Sequence, residues 1–267
     1  MSTKHDDGKI HLRREGKVAI VQVDRPERKN ALTAQLVLDL TRALEEVRDD
    51  PGVAALVLTG TGDAFMSGFD VGKVTSTVGG MTPNEWRKLR DLGARQYEAL
   101  FEMGKPTIAA VNGSCVVGGV SSALACDIRI AADSARFRIG FRRMGLMPSP
   151  DICFLLPFLV GLGRAKLMAM ADQFVDAQEA LRIGLVEEVV PYDRLMPRAM
   201  ELAQDLASGP LLMFAAAKEM MNRAYGLNFH TLRRDIDNAQ FVLTRTEDYK
   251  EAISAFLEKR QPKYKGR

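Results

Sequence analysis

The stretch "GSCVVGGVSSALACD" (residues 113–127) sets two adjacent glycines, Gly118 and Gly119, at the head of a run of small and apolar residues. On either side lie "TIAAV" (107–111) and "DIRIAA" (127–132), short apolar segments rich in β-branched residues that read as buried strands. A helix starting near Gly118 between two such strands is a crossover, and a crossover of that length joins parallel strands. Working outward, "KVAIVQV" (17–23) and "VAALVLT" (53–59) read as further buried strands. Between them Thr33 is placed to cap a helix whose Leu36, Leu40, Ala43 and Val47 share one face. Asp176 with Glu179 has capping-box spacing and opens "DAQEALRIGL" (176–185) before a last strand, "VEEVV" (186–190). From residue 193 the periodicity is helical throughout, over about 194–208, 210–224, 229–243 and 246–259. The expected organisation is an α/β core over 1–192 and a helical region over 193–267. "TSTVGGMTP" (75–83) is the most loop-like stretch of the core and is expected to be mobile.

Bulk properties narrow the function classes. With 37 basic and 34 acidic residues in 267, the net charge is only +3, without the clustered excess of a nucleic-acid binder. The tail "EKRQPKYKGR" is the one basic concentration, a solvated end or a contact for phosphates. The segment "MSTKHDDGK" has no apolar core of a secretory signal. "ICFLLPFLVGLG" is too short to span a bilayer and is interrupted by Pro157 and Gly161. Cys115, Cys126 and Cys153 fit neither a disulfide framework nor a zinc pattern, so the expectation is a cytoplasmic protein with reduced thiols and no metal. His5, His11 and His230 lie outside the glycine turns, which argues against a Ser–His or Cys–His relay.

Two glycine-bearing turns carry the chemistry: "GTGDAFMSGFD" (60–70) after one strand and "NGSCVVGG" (112–119) after another. Each presents bare backbone N–H groups, and two such donors aimed at one point make an oxyanion hole, helped by a helix N-terminus. Taken singly, such turns are equally ordinary strand–helix connections. No Lys-Ser or Lys-Thr follows the glycines, which excludes a phosphate loop.

Five segments in one order, "RPERKNALT", "DAFMSGFD", "KPTIAAVNGSCVVGG" with "ACDIRIA", "DAQEALRIGLVEEVV" and "EDYKEAISAFLEKRQPKYKGR", resemble the enoyl-CoA hydratase/isomerase (crotonase) family over nearly the whole chain. The resemblance implies a crotonase-like spiral of ββα units with a helical C-terminal trimerisation region, assembling as a homotrimer or dimer of trimers. It implies an acyl-CoA substrate, with coenzyme A as part of the substrate and no other cofactor, nucleic acid or membrane as partner. The thioester oxygen is expected between the amides of Phe69, in "SGFD", and Gly118, in "VVGGV". The nucleotide end is expected along "RKNA" and "DAF", with Lys29, Ala31, Ala64, Ser67, Gly68 and Asp70 lining the path and Phe256 and Lys259 near the adenosine. Asp70 also reads as a cap for a helix following "SGF".

Departures from that resemblance bear on the reaction. The places of the two hydratase glutamates hold Ser121 and Phe141, neither of which is a base at neutral pH. The carboxylate that isomerases and dehalogenases carry directly after the proline corresponding to Pro148 is here Ser149, with Asp151 two residues later. Two residues on a helix's first turn is a swing of about 200°. Asp151 therefore reads either as the base or as an N-terminal residue favoured by the helix dipole. "FRIGFRR" places Arg138, Arg142 and Arg143 either as a clamp for a substrate carboxylate or on a solvated or subunit-contact face. Met144, Met147, Phe154 and Leu155 line an apolar acyl pocket or the core. The leading expectation is double-bond isomerisation of an enoyl-CoA through an enolate, with Asp151 moving the proton. The alternatives are an atypical hydratase, an acyl-CoA hydrolase, or a CoA-ester binding protein without chemistry.

Overall fold

A computed structural model describes residues 8–70, 82–226 and 229–267. The chain enters through an antiparallel hairpin, β1 (Lys9–Glu15) with β2 (Val18–Asp24), followed by α1 (Ala34–Asp49). Strand β1, "KIHLRRE", is an edge strand whose charged residues keep that edge from pairing further, and the same charge hid it from a search for apolar runs. The Thr33 hydroxyl accepts from the Leu36 amide at 3.1 Å, and Leu36, Leu40, Ala43 and Val47 are buried on the face expected.

Three successive units then repeat one plan of long strand, short strand and helix. They are β3 (Ala55–Gly60), β4 (Ala64–Met66) and α2 (Pro83–Phe101); β5 (Thr107–Val111), β6 (Ser114–Val116) and α3 (Gly118–Ala125); and β7 (Ile128–Ala132), β8 (Arg136–Arg138) and α4 (Pro150–Val160). After α5 (Leu162–Ala171) come β9 (Val175–Asp176), α6 (Ala177–Arg182) and β10 (Glu188–Val190). The long strands build a six-stranded sheet in the order β1-β2-β3-β5-β7-β10, parallel from β2 onward. The short ones build a second sheet, β4-β6-β8-β9. Each unit thus contributes one strand to each sheet and advances by one place, which is the spiral of ββα units.

The inner strands of the large sheet are covered on both faces, so they read as mostly apolar runs. Ala19, Val21, Leu56, Leu58, Ala109 and Ala131 join the core on the α1 and α3 side. Their neighbours Val18, Ile20, Val57, Ile108, Ala110 and Ile130 pack on Leu195, Ala199, Ala203 and Ala207 of α7 (Leu195–Ala207). The first C-terminal helix therefore closes the back of the sheet, and the core runs on past residue 192 to Ala207.

Beyond it lie α8 (Leu211–Arg223), α9 (Phe229–Leu243) and α10 (Glu247–Glu258). Lys218 ties α8 to the core through Asp127 and the Leu100 carbonyl, each at 3.0 Å. The basic tail doubles back along α10 instead of ending in solvent. The buried Asp248 carboxylate accepts the amides of Lys265 and Gly266 at 2.7 and 2.9 Å. Arg260 pairs with Glu251 and Glu258, while Lys265 and Arg267 meet Glu247. Those three cations are matched by acids of the same helix. The loop reading of 75–83 falls mostly outside the described residues; Thr82 caps α2, its hydroxyl accepting from Glu85 in a full capping box. Among the described residues no helix is long and apolar enough to cross a membrane.

Candidate active site

The two glycine turns leave the ends of adjacent short strands and meet. Asn112 fastens one to the other: its amide donates to the carbonyls of Gly62 and Ala64 at 2.8 and 3.0 Å and its oxygen accepts from Gly60 at 3.2 Å. Gly113 lies so close to Asp63 that a Cβ there would sit 2.0 Å from the Asp63 carbonyl oxygen. Higher up, a Cβ on Gly68 would fall 3.0 Å from the Gly118 nitrogen, and one on Gly118 would fall 2.7 Å from the Tyr97 hydroxyl and 3.4 Å from the Gly68 Cα. Gly119 rests on β4, where a Cβ would meet the Met66 carbonyl oxygen at 2.0 Å. The pair thus has two causes: Gly119 lets α3 pack on β4, and Gly118 keeps its own amide uncovered beside Gly68.

The backbone around these glycines presents donors. Leu32 donates to the Gly68 carbonyl at 2.7 Å and accepts from Asp70 at 2.9 Å, a parallel bridge centred on Phe69. In that geometry the N–H of Phe69 points away from Leu32. The Phe69 ring is seated against Gly93 of α2, where a Cβ would approach it to 3.0 Å. Gly118 is the first residue of α3, so its N–H has no partner within the helix. Val117, immediately before it, holds φ 53° and ψ −114°. A β-branched residue at positive φ is a true outlier, costing about 1–3 kcal/mol, and such strain gathers at functional sites. Here the Val117 amide is tied to the Arg138 carbonyl at 3.1 Å, which holds the strained turn in place. A backbone N–H at a helix N-terminus, as at Gly118, is of the kind that can polarise a carbonyl.

One turn along α3 from Gly118, the Ser121 hydroxyl is fully buried and 2.9 Å from the Ser149 hydroxyl. Ser149 in turn donates to Asp151 Oδ2 at 3.2 Å. It occupies the N-cap position of α4, yet its side chain caps nothing. The fold thus joins Ser121, Ser149 and Asp151, three residues that the sequence reading weighed one by one. Phe141 is buried in the core cluster. The Met144 side chain lies outside what the structure describes; Met147 and Phe154 are exposed, and Leu155 is partly buried against the core.

The arginine cluster meets the 171–172 segment. Arg138 is buried and bonded through Nε and Nη2 to Asp172 Oδ2 at 3.1 and 2.6 Å, with Phe174 under its guanidinium. Asp172 also accepts the Gly140 amide at 2.6 Å, and the Arg138 guanidinium above all holds its carboxyl below the usual carboxylate range. Arg142 donates to the Ala171 carbonyl and Arg143 faces Asp172 at 3.8 Å. Arg138 and Arg142 thus bind the 171–172 segment, and the Arg138 charge is already met by the buried Asp172 carboxylate.

The two loops expected along the nucleotide, around Lys29 and around Asp63 to Ser67, lie against each other. Asn30, wholly buried, accepts from the Arg25 amide and donates to the carbonyls of Thr61 and Ala64 at 2.9 and 2.7 Å. That brings Lys29 beside Asp63, with which it pairs, and the Ser67 hydroxyl within 3.3 Å of the Arg28 carbonyl. Ala31 is partly exposed on the same loop, whereas Ala64 is fully buried with its carbonyl occupied. Asp70 bonds Arg25 at 2.9 Å and so clamps the Phe69 turn to this loop; the helix it was expected to cap lies outside the described residues. Phe256 is exposed on α10, and Lys259 ends that helix in a left-handed conformation.

Burial pushes the Cys126 thiol up to about 12 and raises Cys115 as well, so neither is a nucleophile. His11 pairs with Asp24 on the edge hairpin; His5 and the side chain of His230 are outside the described structure. The sequence reading missed Tyr97, which approaches Gly118 from α2, and the framework asparagines Asn30 and Asn112. The "KN" and "NG" dipeptides signal turns for the last two, while nothing local marks Tyr97.

Comparison with known proteins gives the class. The pattern of the enoyl-CoA hydratase/isomerase family matches residues 13–267, and the chain belongs to that family. It is 37% identical over 253 residues to the short-chain-enoyl-CoA hydratase of Clostridium acetobutylicum, covering 94% of this chain and 95% of the relative. It is 32% identical over 253 residues to the 1,2-epoxyphenylacetyl-CoA isomerase of Escherichia coli, with 94% and 95% covered. The crystal structure of enoyl-CoA hydratase from Bacillus anthracis superposes with a TM-score of 0.89 at 32% identity, covering 97% of this chain and 99% of that one. The fold is therefore the crotonase fold, and the chain is an acyl-CoA-processing enzyme of that family.

Proposed function

We propose that this enzyme shifts the double bond of an enoyl-CoA, with the thioester oxygen held by the amides of Phe69 and Gly118 and the proton moved by Asp151. The observation that carries the reading is the carboxylate Asp151, hydrogen-bonded to Ser149 and through it joined to Ser121, whereas Asp70 beside Phe69 is bonded to Arg25. By the family resemblance Ser121 and Phe141 stand at the places of the hydratase glutamates. Adding water calls for groups that hold and deprotonate it, whereas shifting a double bond needs one group that takes a proton and returns it. The names of similar proteins, hydratases and an isomerase of CoA thioesters, support the substrate class. They also favour a second reading, slow hydration of a short enoyl-CoA. Exposed Phe241 and Val242 on α9 and Phe256 and Leu257 on α10 support assembly into trimers or a dimer of trimers, which sedimentation of the purified protein reads directly.

The test compares conversion of 3-enoyl-CoA to its conjugated isomer with hydration of crotonyl-CoA by the same preparation. Isomerisation is expected to dominate. Hydration at the rate of an efficient enzyme, with no isomerised product, overturns the reading.

A further inference from the structure

We propose that Ser121, Ser149 and Asp151 work as one proton relay, in which Ser121 is the catalytic member that meets the acyl chain and Asp151 stores the proton. This rests on the CoA-thioester reading above. The direction of the chain follows from what each group can do. An ionised carboxylate only accepts, so Ser149 spends its single hydroxyl proton on Asp151 Oδ2 at 3.2 Å. The Ser149 oxygen must then be the acceptor in the 2.9 Å contact, and Ser121 the donor. Ser121 is left with lone pairs and no proton to give elsewhere. Its oxygen lies three residues, one helical turn, from Gly118, on the face of α3 that follows the oxyanion amide. Both serines are buried, while Asp151 is partly exposed. Ser149 stands at a helix N-cap, where its hydroxyl would ordinarily take the N2 or N3 amide, and it bonds these two partners instead.

The step balances without any further reagent. The α-C–H bond breaks, its electron pair moving into the enolate whose oxygen sits in the two-amide hole. The carbon's proton passes to Ser121 Oγ as the Ser121 proton passes to Ser149 Oγ and the Ser149 proton to Asp151 Oδ2. Both hydroxyls end neutral and Asp151 ends as the acid. Running the same chain backward onto the γ-carbon re-forms the C=O and leaves the double bond conjugated.

The experiment follows exchange of the substrate α-proton in deuterated water by NMR, on the full-length enzyme with a 3-enoyl-CoA, beside isomerisation. Ser121→Ala and Ser149→Ala are each expected to lower the maximal exchange rate by ~10²-fold or more with KM within about 3-fold, the size of a lost general base. Ser149→Thr, which keeps a γ-hydroxyl, is expected to restore exchange to within about 10-fold of the starting enzyme. The rate plotted against deuterium fraction is expected to bow, because several protons move together. If both alanine variants keep exchange within about 3-fold while Asp151→Asn abolishes it, Asp151 acts alone and the relay is overturned, the isomerase reading standing. If the unaltered enzyme exchanges through its serines yet makes no isomerised product, the relay stands and the isomerase reading falls. No exchange by the unaltered enzyme overturns both. Should Ser149→Ala melt below assay temperature, the deuterium plot of the unaltered enzyme decides, a straight line overturning the relay.

Discussion

Replacing Gly118 with alanine perturbs the site by one methyl group, and the structure fixes what that methyl meets. The added Cβ falls 2.7 Å from the Tyr97 hydroxyl oxygen, whereas ordinary contact begins at 3.4 Å. Tyr97 is 7% exposed and packed in the core, so its ring has little room to withdraw. The first turn of α3 must therefore give by about 0.7 Å, and a hydrogen bond of about 2.9 Å from its amide lengthens past the useful range. Losing one oxyanion donor costs about 2.7–4 kcal/mol of transition-state stabilisation, roughly 10²–10³ in rate. The crowding itself is expected to cost about 1–3 kcal/mol of folding stability. Measuring kcat, KM and the urea midpoint for Gly118→Ala, Tyr97→Phe and the double variant separates the two effects. The double variant is expected to recover at least about 1 kcal/mol relative to additivity, because removing the hydroxyl clears the methyl's space. If Gly118→Ala keeps its rate within about 3-fold, or Tyr97→Phe brings no recovery, the geometric reasoning is refuted.

Three further outcomes follow from the same coordinates. Asp172→Ala strips the buried Arg138 of its counter-ion and is expected to cost about 3–5 kcal/mol in urea unfolding, against less than 1 for a merely exposed pair. Asn30→Ala removes the acceptor of the Arg25 amide and the donor to the Thr61 carbonyl, and leaves the Ala64 carbonyl to Asn112 alone, so a loss of about 1–3 kcal/mol is expected. With it, KM for CoA thioesters should rise more than kcat falls, and an unchanged KM tells against the nucleotide path. At the chain's end, the Arg260 guanidinium, aided by the Lys263 amide, holds the Glu251 carboxyl down to about 2 from its usual 4.5. A lowered folded-state value stabilises above 4.5 and stops doing so as pH falls toward about 2, so protease release of the tail should rise across that window and depend less steeply on pH in Glu251→Gln.

What the sequence made legible follows from length and period. The strands at 18–24, 55–60, 107–111 and 128–132 are buried on both faces, so each shows a mostly apolar run. The second sheet escaped because its strands, such as Ala64–Met66 and Arg136–Arg138, are three residues long and carry no period. Gly118 was legible because a helix N-terminus after a strand needs a small residue there. The contact between Ser121 and Ser149 was not, since it spans 28 residues and depends on where α4 begins. A helical wheel also sets Asp151 well round from Ser149, and only the hydroxyl bridging to Oδ2 connects them. Arg138 misled for a similar reason: the acid that neutralises it lies 34 residues away, on no shared element.

The repeating unit has a consequence for how such a pocket is tuned. Phe69 follows β4, Gly118 follows β6 and Ser149 follows β8, so each group occupies the same station, between short strand and helix, on successive turns of the spiral. The first two stations hold backbone, which any sequence supplies if the turn geometry survives. The third holds side chains, at the end of a connection running from 139 to 149. Under the proposed chemistry, the grip is backbone of the first two turns, while the relay joins Ser121 on the second turn to Ser149 and Asp151 on the third. Inserting or deleting one residue in that third connection would rotate what stands at the head of α4 by about 100° and open the relay at that end, leaving the two grip turns as they are. Loop length at one station then governs whether the relay closes, and the turns that hold the thioester lie elsewhere in the chain.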